Sequence, residues 1–338
     1  MIPLRGSAVT ASIPSFGANQ YVRRAVESLL AQTHKEITIV VANDGNSNPP
    51  WAELAHICDP RLIRFSLKKN RGPYFAHQVV FAASETPFFL IQDADDWSAP
   101  NRLSVLLTQL LADDSDFAFS AWQQYRQGNN GTLRPDSVRW HRKNRRSASR
   151  PPGKQPAPTN GSFLFDPFLN EEFINRASHH GVFRRQALER IGGYYSGFRM
   201  NHDTLLTNLL LMTGKVSFVE APLYHYVIRS DSLSHSDATG ARSQARAHVR
   251  AQQAAIYREA LHWYRAWSNQ QITSTEFVAF VRRLSARGVT AEDRAAIAFE
   301  TSRLATLLRG SAELKSGTRD TDGAKFAVSC ETVSCPRL

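Results

Sequence analysis

The amino-acid sequence predicts an α/β protein: a mostly parallel sheet flanked by helices, with a helical extension towards the C-terminus. Three observations lead to this prediction. Up to about residue 120, strand-like and helix-like patterns alternate along the chain. The run ITIVVAN at residues 37–43 is almost continuously apolar, as in a central parallel strand that is covered on both faces. Between residues 241 and 308 the chain becomes rich in Ala, Arg and Glu at helical spacing.

The elements of the first part follow in order. A strand at 7–15 ends around Pro14, and a helix begins at Asn19, a residue type that caps helix N-termini. Its apolar residues recur at the spacing of one helical face; they are Tyr21, Val22, Ala25, Val26, Leu29 and Leu30. We then predict strands at 36–44, 61–69, 87–92 and 116–125, a helix at 72–85 and a helix that starts at Pro100 and Asn101.

The second half departs from this alternation. Residues 128–161 contain many Gly, Asn, Pro and basic residues, which predicts a long mobile loop. After it we predict a strand and a helix at 181–193, a helix that stops at Gly214, and a pair of strands at 215–228. This gives three regions: an α/β domain at 1–235, a helical region at 236–310 and a disordered tail at 311–338.

The positive charge is concentrated in one segment. Of the net charge of +11, most comes from residues 134–154, which carry eight basic side chains against Asp136 alone. A solvated loop and a flap that meets an anionic ligand are both compatible with such a run. Binding of nucleic acid is disfavoured, because Trp140 is the one aromatic residue there that could stack on a base.

Membrane and cysteine signals are weak. The first residues lack the pattern of a signal peptide, and no stretch approaches the ~20 apolar residues of a membrane span. We therefore expect a cytoplasmic protein without stable membrane insertion. Cys58, Cys330 and Cys335 give neither a disulfide framework nor a CxxC metal pair.

An acidic cluster follows the fourth predicted strand, in the sequence FFLIQDADDW. Two carboxylates ~4 Å apart repel each other by about 4 kcal/mol at an effective dielectric constant near 20. A solvent-facing turn and helix N-cap would explain Asp96, but explains Asp93 poorly, since Asp93 stands directly at the end of an apolar strand. Ligands of α/β sheets bind beyond the carboxyl ends of strands. Because oxygen ligands favour Mg²⁺ or Mn²⁺ together with a phosphate, we predict a cation and a diphosphate at Asp93 and Asp95.

A second acidic residue ends a buried strand, Asp44 in VVANDGN. An Asx-type turn is the alternative, because Asn-Asp-Gly favours turns. If the two strands are neighbours, however, Asp44 and Asp93 lie on one edge of the sheet, and one ligand could contact both.

The order and spacing of seven segments between residues 8 and 235 resemble the family 2 glycosyltransferases of GT-A fold. The segments are VTASIPSFG, YVRRAVESLLAQTH, ITIVVANDG, KKNRGPYFAHQ, FFLIQDADDWSAPNRL, FRRQALERIGGY and HDTLL. The resemblance implies an inverting, metal-dependent transferase that uses Mn²⁺ or Mg²⁺ and a nucleotide-diphosphate sugar, UDP- or dTDP-linked. Its acceptor is a hydroxyl (or amine), which we expect on a soluble small molecule or saccharide.

The resemblance also assigns residues. Asp203 is the catalytic base, Asp44 holds the pyrimidine, Asp93 lies near the ribose and Asp95 at the metal, where Asp93 is the second candidate ligand. The donor-binding residues are Pro14, Ser15, Phe16, Asp44, Asn70, Gly72, Asp93, Ala94, Asp95, Arg229 and Ser232. The acceptor-binding residues are Trp122, His179, His180 and His202. From the residues alone, a helix N-cap is the favoured interpretation of Asp203, and the resemblance reverses this preference.

Three departures from the family pattern indicate an unusual donor or acceptor. His202 precedes Asp203 where the family has Glu, Asn43 replaces the first Asp of an Asp-Asp-Gly, and Ala76-His77-Gln78 lacks an Arg. The alternatives are a sugar-1-phosphate nucleotidyltransferase, which needs a Gly-rich loop that SIPSFGANQ does not supply, and a non-catalytic nucleotide-sugar or polyanion-binding protein. The helices predicted after residue 241 could pack against the core of the protein or form a homodimer contact. The Arg- and Ala-rich composition is compatible with a bacterial source.

Overall fold

The computed structural model describes residues 6–128, 130–139, 161–163, 172–229, 232–233, 238–240 and 242–316; at 161–163 and 312–316 it describes the backbone alone. The strands in this part of the chain are β1 Val9–Ser15, β2 Ile37–Asn43, β3 Leu62–Ser66, β4 Phe88–Ile91, β5 Trp97–Ser98, β6 Phe117–Gln127, β7 Leu133–Arg139, β8 Gly161–Phe163, β9 Gly181–Arg184 and β10 Val216–Ile228. The helices are α1 Asn19–Leu30, α2 Pro73–Ala83, α3 Arg102–Ala112, α4 Arg185–Arg190, α5 His202–Thr213, α6 Gln244–Ser268, α7 Ser274–Ser285 and α8 Ala291–Ser316.

These strands form one sheet in the order β3-β2-β1-β4-β9-β6-β10-β5, with β7 paired to β6 and β8 to β10. The first four strands run parallel, and β10 is parallel to β6. Strand β9 is antiparallel to both β4 and β6, so the sheet becomes mixed in its second half. The predicted α/β fold class, with a C-terminal helical extension, is confirmed.

The sheet is buried on both faces, as the apolar run in β2 predicts. On one face α1 and α3 cover the sheet; α1 buries Val22, Ala25, Val26 and Leu29, which is the predicted face. On the other face α2 and α5 cover it, together with residues of α6, α7 and α8 such as Tyr257. The helical extension therefore shares a hydrophobic core with the α/β domain.

Several local predictions are corrected. Asn19 does not cap α1: Ala18 occupies the N-cap position, and the Asn19 amide donates to the Asn48 carbonyl oxygen at 2.9 Å. Within the predicted loop 128–161, residues 133–139 form β7; most of the remaining loop lies outside the described residues. The predicted strand pair at 215–228 is one strand, β10, whose register shifts on both sides of Pro222. Cys58 is disulfide-bonded.

At the C-terminal end, α8 continues to Ser316, past the predicted helix end at 310, and the rest of the predicted tail lies outside the described residues. Within the part of the chain that the structure describes, no helix has the length and apolar character needed to cross a membrane.

Candidate active site

A cavity of about 1010 Å³ lies beyond the carboxyl ends of β1, β2 and β4. In a parallel sheet these ends meet at one edge, which explains why residues far apart in the sequence line one space. Fifteen of the sixteen predicted site residues line it: Pro14, Ser15, Phe16, Asp44, Asn70, Gly72, Asp93, Ala94, Asp95, Trp122, His179, His180, Asp203, Arg229 and Ser232.

His202 is the exception. Its side chain is fully buried and packs edge-on against the ring of Tyr74, with 5.3 Å between ring centroids. Burial lowers the pKa of His202 to about 4, so the imidazole is neutral at physiological pH. The predicted contact of His202 with an acceptor is therefore replaced by a packing role behind the cavity wall.

Asp93, at the end of β4, contacts a histidine. His180 Nε2 lies 2.8 Å from Asp93 Oδ2, and the Asp93 backbone N–H donates to the Tyr224 hydroxyl at 3.2 Å. Burial alone would raise the pKa of Asp93, but the imidazole of His180, and more weakly that of His179, holds the pKa below its ordinary value. The carboxylate is thus ionised at any pH at which the protein would work.

Asp95 contacts arginines. The Arg229 Nε–H donates to Asp95 Oδ2 at 3.0 Å, and the guanidinium of Arg24 donates to the Asp95 carbonyl oxygen at 2.7 Å. Burial raises the pKa of Asp95, the charge of Asp93 raises it further, and Arg229 opposes both. A further cation beside the two carboxylates would stabilise their ionised forms.

Asp96 is buried rather than solvent-facing, which corrects its interpretation as an exposed turn or N-cap residue. It accepts a hydrogen bond from the Tyr224 hydroxyl at 2.7 Å and one from the Val227 backbone N–H at 2.7 Å. Burial, followed by the charges of Asp95 and Asp93, raises the pKa of Asp96 well above its ordinary value. Its contacts tie the end of β4 to β10.

Asp44 binds the loop that precedes α2 and does not form a local Asx turn. The backbone N–H groups of Arg71 and Gly72 donate to its two carboxylate oxygens at 2.9 and 2.8 Å. Gly45, at φ +71°, lets this loop approach closely, because a Cβ there would lie 2.3 Å from the Asn70 backbone nitrogen. Burial raises the pKa of Asp44 to about 6.

Asp203 lies in the first turn of α5 and lines the same cavity as Asp93 and Asp95. The helix begins one residue earlier, and Asn201, at φ +55°, holds the N-cap position, so Asp203 is not the N-cap. The Tyr74 hydroxyl donates to Asp203 Oδ1 at 3.0 Å. Burial, and then the charge of Asp203, raises the pKa of Tyr74 well above 10, so the phenol keeps its proton and remains the donor.

Among the residues that the structure describes, two overlapping groups of side chains could hold a metal ion. Asp93, Asp95 and Asp96 form one, and Asp93, His179 and His180 form the other; within each group the ligand atoms lie within 4.8 Å of one another. The predicted ligands, Asp93 and Asp95, both belong to the first group. The second group supplies imidazole nitrogen, which the sequence pattern did not indicate.

Some residues of the cavity wall were not predicted from the sequence. Tyr74 is the most important, and its position inside the motif GPYFAHQ was a signal that could have identified it. Arg199 and Arg246 also line the cavity, yet neither belongs to a recognisable motif. Such residues reach the site through the path of the chain, which local patterns do not encode.

Comparisons with known proteins agree with this geometry. A family model described as glycosyl transferase family 2 matches residues 10–192. The succinoglycan biosynthesis protein ExoO of Rhizobium meliloti is 33% identical over 95 residues, covering 28% of this chain and 27% of that protein. ExoU, from the same organism and also described as a succinoglycan biosynthesis protein, is 35% identical over 100 residues, 29% of each chain. The chain thus spans less than a third of the length of these curated relatives.

Among solved structures, TarS 1–349 of S. aureus in complex with UDP superimposes with a TM-score of 0.53, at 14% identity and 92% coverage of both chains. The same protein in complex with UDP-GlcNAc gives a TM-score of 0.51, also at 14% identity and 92% coverage of both chains. At this identity the likeness concerns the fold alone.

Proposed function

Because this chain belongs to glycosyltransferase family 2, we propose that it transfers a sugar from a nucleotide-diphosphate donor to an acceptor hydroxyl, with inversion and with a divalent cation. One observation carries the proposal. Asp44, the pair Asp93 and Asp95, and Asp203 line the same cavity although they come from three separate parts of the chain.

The donor would lie along the edge of the sheet. Asp44 accepts N–H donors and would hold the N–H edge of a pyrimidine, while Asp93 and Asp95 would hold the cation that accompanies the diphosphate. Arg229, next to Asp95, would contact the diphosphate itself. Complexes of TarS with UDP and UDP-GlcNAc support a uridine nucleotide as the first candidate, ahead of a thymidine nucleotide.

The chemistry follows from these positions. A cation bound by Asp93 and Asp95 would neutralise negative charge on the departing diphosphate. Asp203 would take the proton of the acceptor hydroxyl as the oxygen attacks the anomeric carbon. One base and one displacement invert the anomeric centre, as in single-displacement glycosidases. The Tyr74 hydroxyl fixes one oxygen of Asp203 at 3.0 Å, which leaves the other carboxylate oxygen to accept the proton.

The acceptor would approach from the side of the cavity that Trp122, His179 and His180 line. An aromatic ring with polar neighbours is a usual surface for a sugar or another small hydroxyl-bearing molecule. We therefore propose a saccharide or small-molecule acceptor.

The test is the substitution Asp203→Asn. We expect transfer from UDP-sugars to fall by at least about 100-fold, the lower range for loss of a general base, while UDP binding in the presence of Mn²⁺ stays within twofold. Donor hydrolysis and transfer are followed by UDP release, and binding by calorimetry. Asp114→Asn is the matched control, because the side chain of Asp114 is 94% exposed.

Unchanged transfer in Asp203→Asn would refute the assignment of the base. UDP binding without transfer by the unmodified protein, over a panel of sugars and acceptors, would favour a non-catalytic nucleotide-sugar-binding protein. Release of pyrophosphate from a nucleoside triphosphate would favour a nucleotidyltransferase.

A further inference from the structure

His180 stands at the point where the two candidate metal-binding groups meet. Its Nε2 lies 2.8 Å from Asp93 Oδ2, and Asp93 belongs to both groups. The imidazole is 12% exposed and lines the cavity, so it reaches the donor side as well as the acceptor side predicted for it.

The His180 ring is held in a fixed orientation. It stacks on Tyr224, with centroids 4.3 Å apart and ring planes 15° from parallel, and the guanidinium carbon of Arg102 lies 4.6 Å from the centre of the same tyrosine ring. His180 Nδ1 lies 3.2 Å from the Ser178 hydroxyl, which can accept the Nδ1 proton. With the ring proton on Nδ1, Nε2 would be able to bind a cation shared with Asp93, whereas with a proton on Nε2 the ring donates it to Asp93. An outer hydrogen bond like that to Ser178 fixes the tautomer of metal-binding histidines.

The 2.8 Å contact has two physical explanations. In the first, the imidazole donates its Nε2–H to Asp93, either as a neutral ring or, when protonated, as part of an ion pair. Alternatively, both atoms are ligands of one cation: two ligands ~2.1 Å from a metal and at right angles to each other are about 3.0 Å apart.

We propose that His180 Nε2 is a ligand of the divalent cation at the donor site together with Asp93, so that the cation has a nitrogen ligand as well as an oxygen ligand. The inference rests on the proposed function, which supplies the cation and the diphosphate. Imidazole binds later first-row transition metals better than it binds Mg²⁺. The site should therefore prefer Mn²⁺ to Mg²⁺, which an all-carboxylate site does not ensure.

The direct test is pulsed electron paramagnetic resonance of Mn²⁺ bound to the protein with UDP. We expect nitrogen modulation of the Mn²⁺ signal. Its pattern should change when the histidines are labelled with ¹⁵N. The labelling experiment uses the unmodified sequence, so its result does not depend on whether a variant folds. The signal should vanish in His180→Gln and persist in His56→Gln, a control at a half-exposed surface histidine. Persistence in His180→Gln, or loss in His179→Gln alone, would overturn the assignment.

The two explanations predict changes of opposite direction in Mn²⁺ affinity when His180 is replaced. As a ligand, His180 should strengthen Mn²⁺ binding in the presence of UDP, so His180→Gln should weaken it by tenfold or more and weaken Mg²⁺ binding by less than threefold. As an ion-pair partner, His180 competes with the metal for Asp93, so its removal would leave Mn²⁺ binding unchanged or tighter, and the inference would be wrong.

Failure of the inference and failure of the proposed function give different results. If the unmodified protein binds Mn²⁺ with UDP but shows no nitrogen modulation, His180 is not a ligand and the transferase proposal stands. If neither Mn²⁺ nor Mg²⁺ affects UDP binding or transfer, the metal site itself is refuted, and with it both proposals.

Discussion

Asp44 is a buried carboxylate with a pKa of about 6. If it holds the pyrimidine of the donor as proposed, donor binding depends on pH. Burial favours the neutral acid, whereas a pyrimidine N–H requires the ionised form as acceptor. In the free protein, the fraction of molecules with an ionised Asp44 falls about tenfold for each pH unit below the pKa. The apparent affinity for UDP falls with that fraction. We expect UDP to bind about tenfold more weakly at pH 5 than at pH 8.

Calorimetric titration of UDP across this range, at constant Mn²⁺, measures the effect. Asp44→Asn should bind UDP more weakly at pH 8, and its affinity should be much flatter between pH 5 and 8. If Asp44→Asn keeps the full pH dependence, another group titrates, and the proposed contact of Asp44 with the pyrimidine ring is wrong.

Arg102 is a buried cation beneath the acidic cluster. Its guanidinium is fully buried and donates to Gln92 Oε1 at 3.0 Å, the Ser98 hydroxyl at 2.7 Å and the Ile91 carbonyl oxygen at 3.1 Å. Arg102→Met would leave these acceptors without their donor and remove a positive charge close to Asp96. We expect the free energy of unfolding to fall by about 3–5 kcal/mol.

Urea denaturation measures this loss, with Arg23→Met as the control. Arg23 is 55% exposed and pairs with Glu27, and such surface pairs contribute at most about 1 kcal/mol. Equal effects of the two substitutions would contradict a supporting role for Arg102.

At the same scale, sequence patterns predicted residues of the cavity wall that follow a strand, since Asp44, Asp93 and Asp95 stand next to an apolar run. They failed for residues whose environment depends on distant parts of the chain. The partner of Asp96 is Tyr224, 128 positions away, and the burial of His202 depends on Tyr74 and Tyr194. No local signal distinguishes these residues from exposed ones.

Among the elements, α8 has a direct connection to the donor site. Arg71, whose backbone N–H holds Asp44, forms ion pairs with Asp293 at 3.0 Å and Glu292 at 2.5 Å in the first turn of α8. The Lys68 backbone N–H in the same loop donates to Glu300 at 2.9 Å. The C-terminal helix thereby fixes the loop that orients the Asp44 carboxylate.

We therefore expect Arg71→Met to weaken UDP binding about three- to tenfold. Stability should also fall, by more than the roughly 1 kcal/mol of an exposed pair, because the side chains of Arg71 and Asp293 are only 19% and 13% exposed. Calorimetry and urea denaturation measure the two quantities, and Arg23→Met again serves as the control. Loss of stability with unchanged UDP affinity would mean that α8 supports the fold without positioning the loop.

Helices and strands could be predicted from the sequence where burial of a face imposes a regular spacing of apolar residues. Helix α1 and strand β2 show this, since each buries a face that its sequence marks. Strand β7 was missed because most of its residues are exposed, so no apolar alternation marks it. The sequence predicted two strands in place of β10 because a proline usually ends a strand. In the structure the strand continues through Pro222, where its register shifts.

At the scale of the whole molecule, the boundary predicted near residue 235 falls within one hydrophobic core. Tyr257 of α6, Val281 of α7 and Leu304 of α8 belong to the same buried cluster as Val79 of α2 and Leu209 of α5. Domains that unfold separately need separate cores. We therefore expect the α/β sheet and the C-terminal helices to unfold in one transition.

Leu304→Ala tests this expectation. Leu304 is fully buried, so the substitution should cost about 2–5 kcal/mol and shift the entire unfolding curve to lower urea concentration. Two unfolding curves should shift together. One is followed by circular dichroism, which reports mainly the helices, and the other by UDP binding, which reports the proposed donor site. Thr306→Ala, at an exposed position of the same helix, should shift neither. If Leu304→Ala melts helical signal while UDP still binds with its original affinity, the helices form a separate unit and the shared core does not couple them to the site.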